Sequence, residues 1–499
     1  MSAMRLLRNG SWVTLSAVLG RGATFLSSIL VARLLGSVEF GAYTMVWATV
    51  AAGAVFGGFA LNTTACKFLT QFKETDPERA GRITAAVLLL LAGSSAVAAS
   101  VYPLLAGPLA QLLFSRPELS ALLVVSTVAL VAMSVETVFG AVLVGLGALR
   151  ILALVQALRC AVLLGSTYAL TARAGLSGAI WALNLGLLAG ALLTAAATIH
   201  GLWREGIAIR IRGARSELSS LLRFSTPMYL VNIVSFPLLW IGLAVLARQP
   251  EGLVQVAHFG IANRLRDIAL FVPGNLAVVA LALLPASFES GGISELGRNA
   301  ARHLRLTAGI SLVAVVGLTA TAGLAIRALY GPVYATPAVV TATVILLFSC
   351  FASAITALLA QVFRSADHVW TVLGVVGAGA AVFLLGLAGL APGRGAVTLA
   401  TLWLAAQAVS LAVSLLAVCR AFGVRIYRPG AWAAVSFLFF IASASVAYLQ
   451  SAWAAVHGTA LLAALAILTY TLLLAPRERE EILARLRGRS AAAAPSAGR

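Results

Sequence analysis

Long apolar runs separated by short polar segments repeat from the start of the chain to its last tenth. A membrane-crossing helix needs roughly 20 mostly apolar residues. Fourteen runs qualify, at about 11–32, 41–61, 83–104, 121–144, 151–171, 177–200, 221–247, 257–285, 306–329, 338–362, 369–390, 397–419, 431–450 and 457–475. The breaks fall at punctuation residues, among them Gly36, Pro117, Gly175, Pro250, Gly331-Pro332 and Pro429-Gly430. The first run is too long for a cleavable signal, carries Arg21 and has no clear small-residue cleavage site, so it reads as a span. The pattern predicts an all-α polytopic membrane protein of about 14 transmembrane helices.

Composition sharpens this. The chain of 499 residues is 61% hydrophobic and 10% charged, with a mean hydropathy of +1.00. A soluble domain is about 25% charged, so a water-soluble enzyme is excluded. The net charge is +19, yet the basic residues sit between apolar runs rather than on one polar face. They therefore read as topology, with no nucleic-acid partner. With the N-terminus in the cytoplasm, cytoplasmic segments hold 24 basic residues and the opposite side holds 5. That bias requires an even number of spans and puts both termini in the cytoplasm. An Ala- and Arg-rich composition, with Lys67 and Lys73 the only lysines, fits a bacterial protein of the inner (plasma) membrane.

No Walker A, GxSxG or HExxH motif is present, so no catalytic residue is expected. The four cysteines, at 66, 160, 350 and 419, form no metal or disulfide pattern, and the five histidines do not cluster. No cofactor is expected.

An internal repeat organises the spans. Ala32-Arg33 followed by Phe40-Gly41 is echoed by Ala247-Arg248 followed by Phe259-Gly260. Span 4 ends at Arg150 and span 10 at Arg364. The offsets are 215, 219 and 214 residues. Two six-helix repeats of one orientation are expected around a central cavity, followed by two C-terminal helices. The domain boundaries expected are 1–205, 206–425, 426–475 for the extra helices, and 476–499 for a basic cytoplasmic tail near anionic lipid.

Ionisable residues inside a bilayer cost about 2.5–3.5 kcal/mol each on insertion scales, and usually face a cavity or the bundle interior. Arg21 lies at mid-depth in span 1, on a polar stripe with Thr14, Ala17, Thr24 and Ser28. Span 8 carries Asn263, Arg264, Arg266 and Asp267, with Arg264 and Asp267 spaced to pair on one face. Arg159 in span 5 shares its face with Gln156 and Ser166, and lining a cavity and packing between helices are equal readings of it. The candidate anion site is therefore Arg21, Arg159, Arg264 and Arg266. Glu136 and Asp267 are candidates for coupling to protons or sodium; Glu136 serves equally as a helix-to-helix hydrogen bond. Asn184, Asn232 and Asn263 are candidate polar groups of the cavity, with helix-to-helix bonding the other reading of the first two. Arginine matches phosphate oxygens in bidentate fashion, so the excess suits a phosphate-bearing or acidic cargo. Pro237 and Pro273-Gly274 predict kinks in spans 7 and 8.

Particular residues also carry a resemblance. Asn9-Gly10-Ser11 leads into span 1, then Ala32-Arg33-Leu34-Leu35-Gly36 precedes Glu39-Phe40-Gly41-Ala42-Tyr43. Leu329-Tyr330-Gly331-Pro332 with Tyr334 lies between spans 9 and 10. These stretches resemble Wzx-type polysaccharide biosynthesis flippases of the multidrug/oligosaccharidyl-lipid/polysaccharide exporter superfamily. The resemblance implies a flippase moving an undecaprenyl-diphosphate-linked oligosaccharide across the inner membrane by alternating access, for O-antigen, capsule or exopolysaccharide. It also implies membrane lipids, a polysaccharide polymerase and a chain-length regulator as partners. The related lipid II flippases usually carry a Gly-Phe-x-Arg-Asp-like element where this chain has Ala32-Arg33-Leu34-Leu35-Gly36. The alternative within the superfamily is a cation-coupled exporter of drugs or small solutes, whose cavity is typically more acidic.

Overall fold

A computed structural model describes residues 3–366, 368–389 and 395–422, and four isolated positions beyond them (441, 444, 458 and 461). The regular structure of the described residues is helical, without a strand. The predicted spans at 431–450 and 457–475 and the tail 476–499 lie outside the described residues, those four positions apart.

The N-terminal half runs α1 (Ala3–Leu35), α2 (Ser37–Gly58), α3 (Leu61–Phe72), α4 (Pro77–Pro108), α5 (Ser120–Val125), α6 (Thr127–Leu146) and α7 (Leu149–Arg204). The second half runs α8 (Ala214–Ala247), α9 (Gly252–Ala269), α10 (Phe271–Ala320), α11 (Ala322–Tyr330), α12 (Pro337–Ser365), α13 (Val369–Ala388) and α14 (Ala396–Phe422). Among the described residues, ten stretches are long and apolar enough to cross a membrane. One of them, α7, holds spans 5 and 6 together. Its axis breaks at Ala174 and Gly175, where Gly175 takes φ +55° and ψ −135°, a conformation open to glycine. Close approaches of Gly178 to the Leu170 carbonyl and of Gly186 to Leu163 show the two arms of α7 packed back to back.

Span 8 is divided. α9 ends at Ala269, and α10 begins at Phe271 with Pro273 in its first turn, where a missing N–H costs nothing. The predicted break at Pro273-Gly274 is thus present. Pro237, in contrast, lies inside an uninterrupted α8. The polar segment after span 2 holds a helix that the span count does not include, α3 over 61–72. It lays Leu61, Thr64, Ala65 and Leu69 against its neighbours and turns its other face outward. Asp76 caps α4 by accepting from the Arg79 N–H at 2.9 Å.

Within the first half α1 packs along α7, and α6 packs on α7. Within the second, α8 packs on α13, and α12 lies between α10 and α14. The halves meet where α2 crosses α9. This crossing explains the echoed Phe-Gly pairs. A Cβ on Gly41 would collide with the Leu253 carbonyl oxygen of α9, and one on Gly260 would stand 3.0 Å from the Thr44 side chain of α2. Each glycine opens its own helix to the other, and Phe40 and Phe259 are buried beside them in one core shared by both halves.

Gly41→Val should therefore force α2 and α9 apart, since the obstructing atom is backbone and overpacking costs about 1–3 kcal/mol. In an otherwise cysteine-free chain, a cysteine at Ser28, buried beyond this crossing, should react faster with a hydrophilic maleimide when Gly41→Val is present. Unchanged labelling would show that the crossing does not hold the halves together.

Candidate functional site: a cavity between the two halves

A cavity of about 1350 Å³ lies between α1, α6 and α7 on one side and α9, α10 and α12 on the other. The stripe read from span 1 divides by depth. Ala17, Arg21 and Thr24 line the cavity, while Ser28, four residues on, is buried beside the Tyr330 hydroxyl at 3.5 Å. Arg21 extends over the Phe271 ring, 5.4 Å from its centroid. From the opposite wall Arg264 stacks over Trp47 at 5.5 Å. Among the described residues neither guanidinium has a carboxylate within ion-pair distance. An aromatic face restrains an arginine's plane without neutralising it, so both keep their charge and their donors.

The other candidates are placed differently. Arg159 lines the cavity but is tied: its Nε is 3.3 Å from the Glu136 carboxylate, and its Nη1 donates to the Gln156 side-chain oxygen at 3.3 Å. Gln156 in turn donates to Glu136 at 3.1 Å. Glu136 is thus no lone carboxylate, and Arg159 no free cation. Gly190 makes room for this triad, since a Cβ there would lie 2.7 Å from both Arg159 and Glu136. The expected pair between Arg264 and Asp267 is not formed among the described residues. Asp267 points instead toward Arg266, at 3.9 Å, with half of its side chain exposed to the cavity. Arg264, which lines the same cavity, lies over the Trp47 ring of α2 instead.

Arg266 does not line the central cavity. It turns into a second, smaller cavity inside the C-terminal half, stacked on Trp403 at 5.1 Å and donating to Asn263 at 2.9 Å. Asn232 and Asn263 line that same second cavity. Asn184 lines neither cavity: it is buried, and its Oδ1 accepts from the Ala129 N–H at 2.8 Å, so it joins α7 to α6. Arg364, which span counting assigns to a cytoplasmic segment, also reaches the second cavity from the end of α12. Its signal in the sequence was Gln361, one helical turn earlier, whose oxygen accepts from Arg364 at 3.2 Å.

The two motif stretches meet each other at one end of the cavity. Arg33 donates from Nε to the Leu329 carbonyl at 2.7 Å and from Nη2 to the Ala328 carbonyl. The Tyr334 hydroxyl donates to the Ala32 carbonyl at 3.1 Å. Burial pushes the Tyr334 phenol up to about 12, so it remains a neutral donor. Phe40, Tyr330 and Tyr334 pack edge-to-face or tilted, with centroids 6.2–6.4 Å apart. This closure lies at the end that the charge bias assigns to the outside. At the other end Glu217 of α8 is held by Arg79 at 3.3 Å and Arg82 at 3.7 Å, both from α4.

The sequence profile of the family described as polysaccharide biosynthesis protein matches residues 6–290. The chain belongs to that family. It is 27% identical over 282 residues to the EPS I polysaccharide export inner membrane protein EpsE of Ralstonia nicotianae, a match covering 54% of this chain and 61% of the relative. It is 26% identical over 275 residues to the EpsE protein of Ralstonia solanacearum, again across 61% of the relative. The chain thus matches less than two thirds of the length of these relatives. In fold it is similar to the lipid II flippase MurJ in an inward closed conformation, with a TM-score of 0.68 at 14% identity, covering 96% of this chain and 99% of that one. It is also similar to an inward-facing multidrug resistance MATE family transporter of the MOP superfamily, with a TM-score of 0.65 at 15% identity, covering 82% and 94%. The likeness in fold and the apolar helices agree: the family member described here is a multi-pass, all-α membrane protein.

Proposed function

We propose that the protein is a flippase, not an enzyme, that carries a lipid-linked oligosaccharide across the bacterial inner membrane for polysaccharide export. The observation that carries this reading is the pair of arginines without carboxylate partners among the described residues, Arg21 and Arg264, facing one cavity between the two halves. A diphosphate headgroup offers oxygens to both forks, and a polyprenyl tail would remain in the bilayer. Membership of the polysaccharide biosynthesis family and the names of the Ralstonia relatives support the same cargo class. Alternating access would open the Tyr330–Tyr334 closure and the Glu217 clamp in turn. Coupling to protons or sodium falls to Asp267, the half-exposed carboxylate of the wall, since Glu136 is engaged with Arg159. A polymerase and a chain-length regulator would receive the product.

The test is translocation in proteoliposomes holding a fluorescent undecaprenyl-diphosphate oligosaccharide. The protein should move the glycan to the leaflet where a membrane-impermeant glycosidase reaches it. Vesicles that show no movement above a protein-free control, yet accumulate ethidium along a sodium or proton gradient, would favour the drug-exporter reading instead.

A further inference from the structure

The second cavity, of about 590 Å³, is enclosed by α8, α9, α12, α13 and α14. Its charged lining, among the described residues, is Arg266, Arg364 and Asp267. Asp267 stands at the boundary, in the walls of both cavities. One Nη of each arginine is occupied by a neutral amide oxygen, of Asn263 and Gln361 respectively. What remains is a set of unmet donors. Among the described residues, the Nε–H of Arg266, the Nε–H of Arg364 and the indole N–H of Trp403 are all buried without a partner, and so is the Thr356 hydroxyl. Trp403 is only 8% exposed. Three of these four groups donate and never accept, and the fourth is able to donate. Buried polar groups are normally satisfied, and a cluster of the same polarity left unsatisfied points to a missing acceptor. A water molecule meets a donor but does not balance a second guanidinium that no carboxylate faces among the described residues.

We propose that this cavity binds a small oxyanion of the inorganic phosphate class, at a site separate from the central cavity. The planar forks of Arg266 and Arg364 match such oxygens, and Trp403 adds a neutral donor while bracing Arg266 from below. The volume holds the ion together with part of its water, and Ser235, Gln407 and Ser414 supply further polar lining. Occupancy also has a consequence for the larger cavity. An anion on Arg266 competes with Asp267, 3.9 Å away, and releases that carboxylate toward the central cavity. The charge facing the cargo then depends on whether the smaller site is filled. None of this depends on which cargo is carried.

The experiment is equilibrium binding of radiolabelled inorganic phosphate to the purified full chain in detergent. It is run in an Arg21→Gln/Arg264→Gln background, which removes the free guanidiniums of the central cavity. A saturable phosphate site should persist there. Trp403→Phe keeps the ring and removes one donor, and should weaken that site about fivefold, while Arg364→Gln should weaken it about tenfold or more. If Arg364→Gln does not fold, the Trp403→Phe shift alone decides. Loss of all saturable binding in the background variant, or full affinity retained in the presence of Trp403→Phe, would overturn the proposal.

Discussion

Replacing Arg21 and Arg264 together by glutamine is expected to reduce export of surface polysaccharide to the level of a strain without the protein, while the chain accumulates normally in the membrane. Both guanidiniums face a cavity, where they lie over the aromatic rings of Phe271 and Trp47, and among the described residues neither has a carboxylate within ion-pair distance. Removing them breaks no ion pair among the described residues, so folding should be spared. A hydrogen bond to a charged group contributes about 1.5–3 kcal/mol. Two of them lost from a diphosphate amount to on the order of a hundredfold to ten-thousandfold in affinity. The replacement by lysine adds a finer expectation. Arg21→Lys and Arg264→Lys keep the charge and lose the fork, so their export should fall between the parent and the glutamine variants. Measured by immunoblot of protein and chemical assay of surface glycan from the same cells, wild-type export in the double glutamine variant would sink the anion-site reading.

The placement of Arg21 was legible because a helix repeats every 3.6 residues. Thr14, Ala17, Thr24 and Ser28 fell on its face, and three members of that stripe proved to line one cavity. The Phe-Gly echo was legible as a repeat, but its cause is the crossing of α2 over α9, a contact between residues some two hundred positions apart. Local spacing is permissive and not directive, which is why Arg264 and Asp267 were expected to pair. The ring over which Arg264 lies, that of Trp47, belongs to another helix and leaves no mark near Arg264 in the sequence. Arg364 looked like a loop charge because the apolar run ends just before it, yet α12 continues through Ser365 and carries it into a cavity. Helix α3 was hidden for the complementary reason. Its exposed face carries Lys67 and Thr70, and a short amphipathic helix lying in a polar segment has no long apolar run to announce it.

The Glu136–Arg159 contact is the case where pairing across helices changes the chemistry most. Glu136→Ala should destabilise the protein by about 3–5 kcal/mol, the usual result of leaving one member of a buried ion pair uncompensated. Side-chain exposure of the two groups is 9% for Arg159 and 11% for Glu136, so water does not replace the missing partner. Gln156 cannot replace it either, because its amide already bridges the pair, accepting from Arg159 and donating to Glu136. The loss should appear as a lower midpoint in detergent thermal melts followed by size-exclusion chromatography. Glu136→Ala combined with Arg159→Met should regain most of it, since an apolar pair of similar volume often equals or exceeds a buried ion pair in stability. Gly190→Val offers an independent check, because its side chain would press on the same two groups from α7 and should destabilise the single-site parent but matter less in the double variant. A coupling carboxylate behaves in the opposite way. Were Glu136 the residue that carries a proton or sodium ion, Glu136→Gln would leave the melting midpoint unchanged and abolish the gradient dependence of transport, and Arg159→Met would restore nothing.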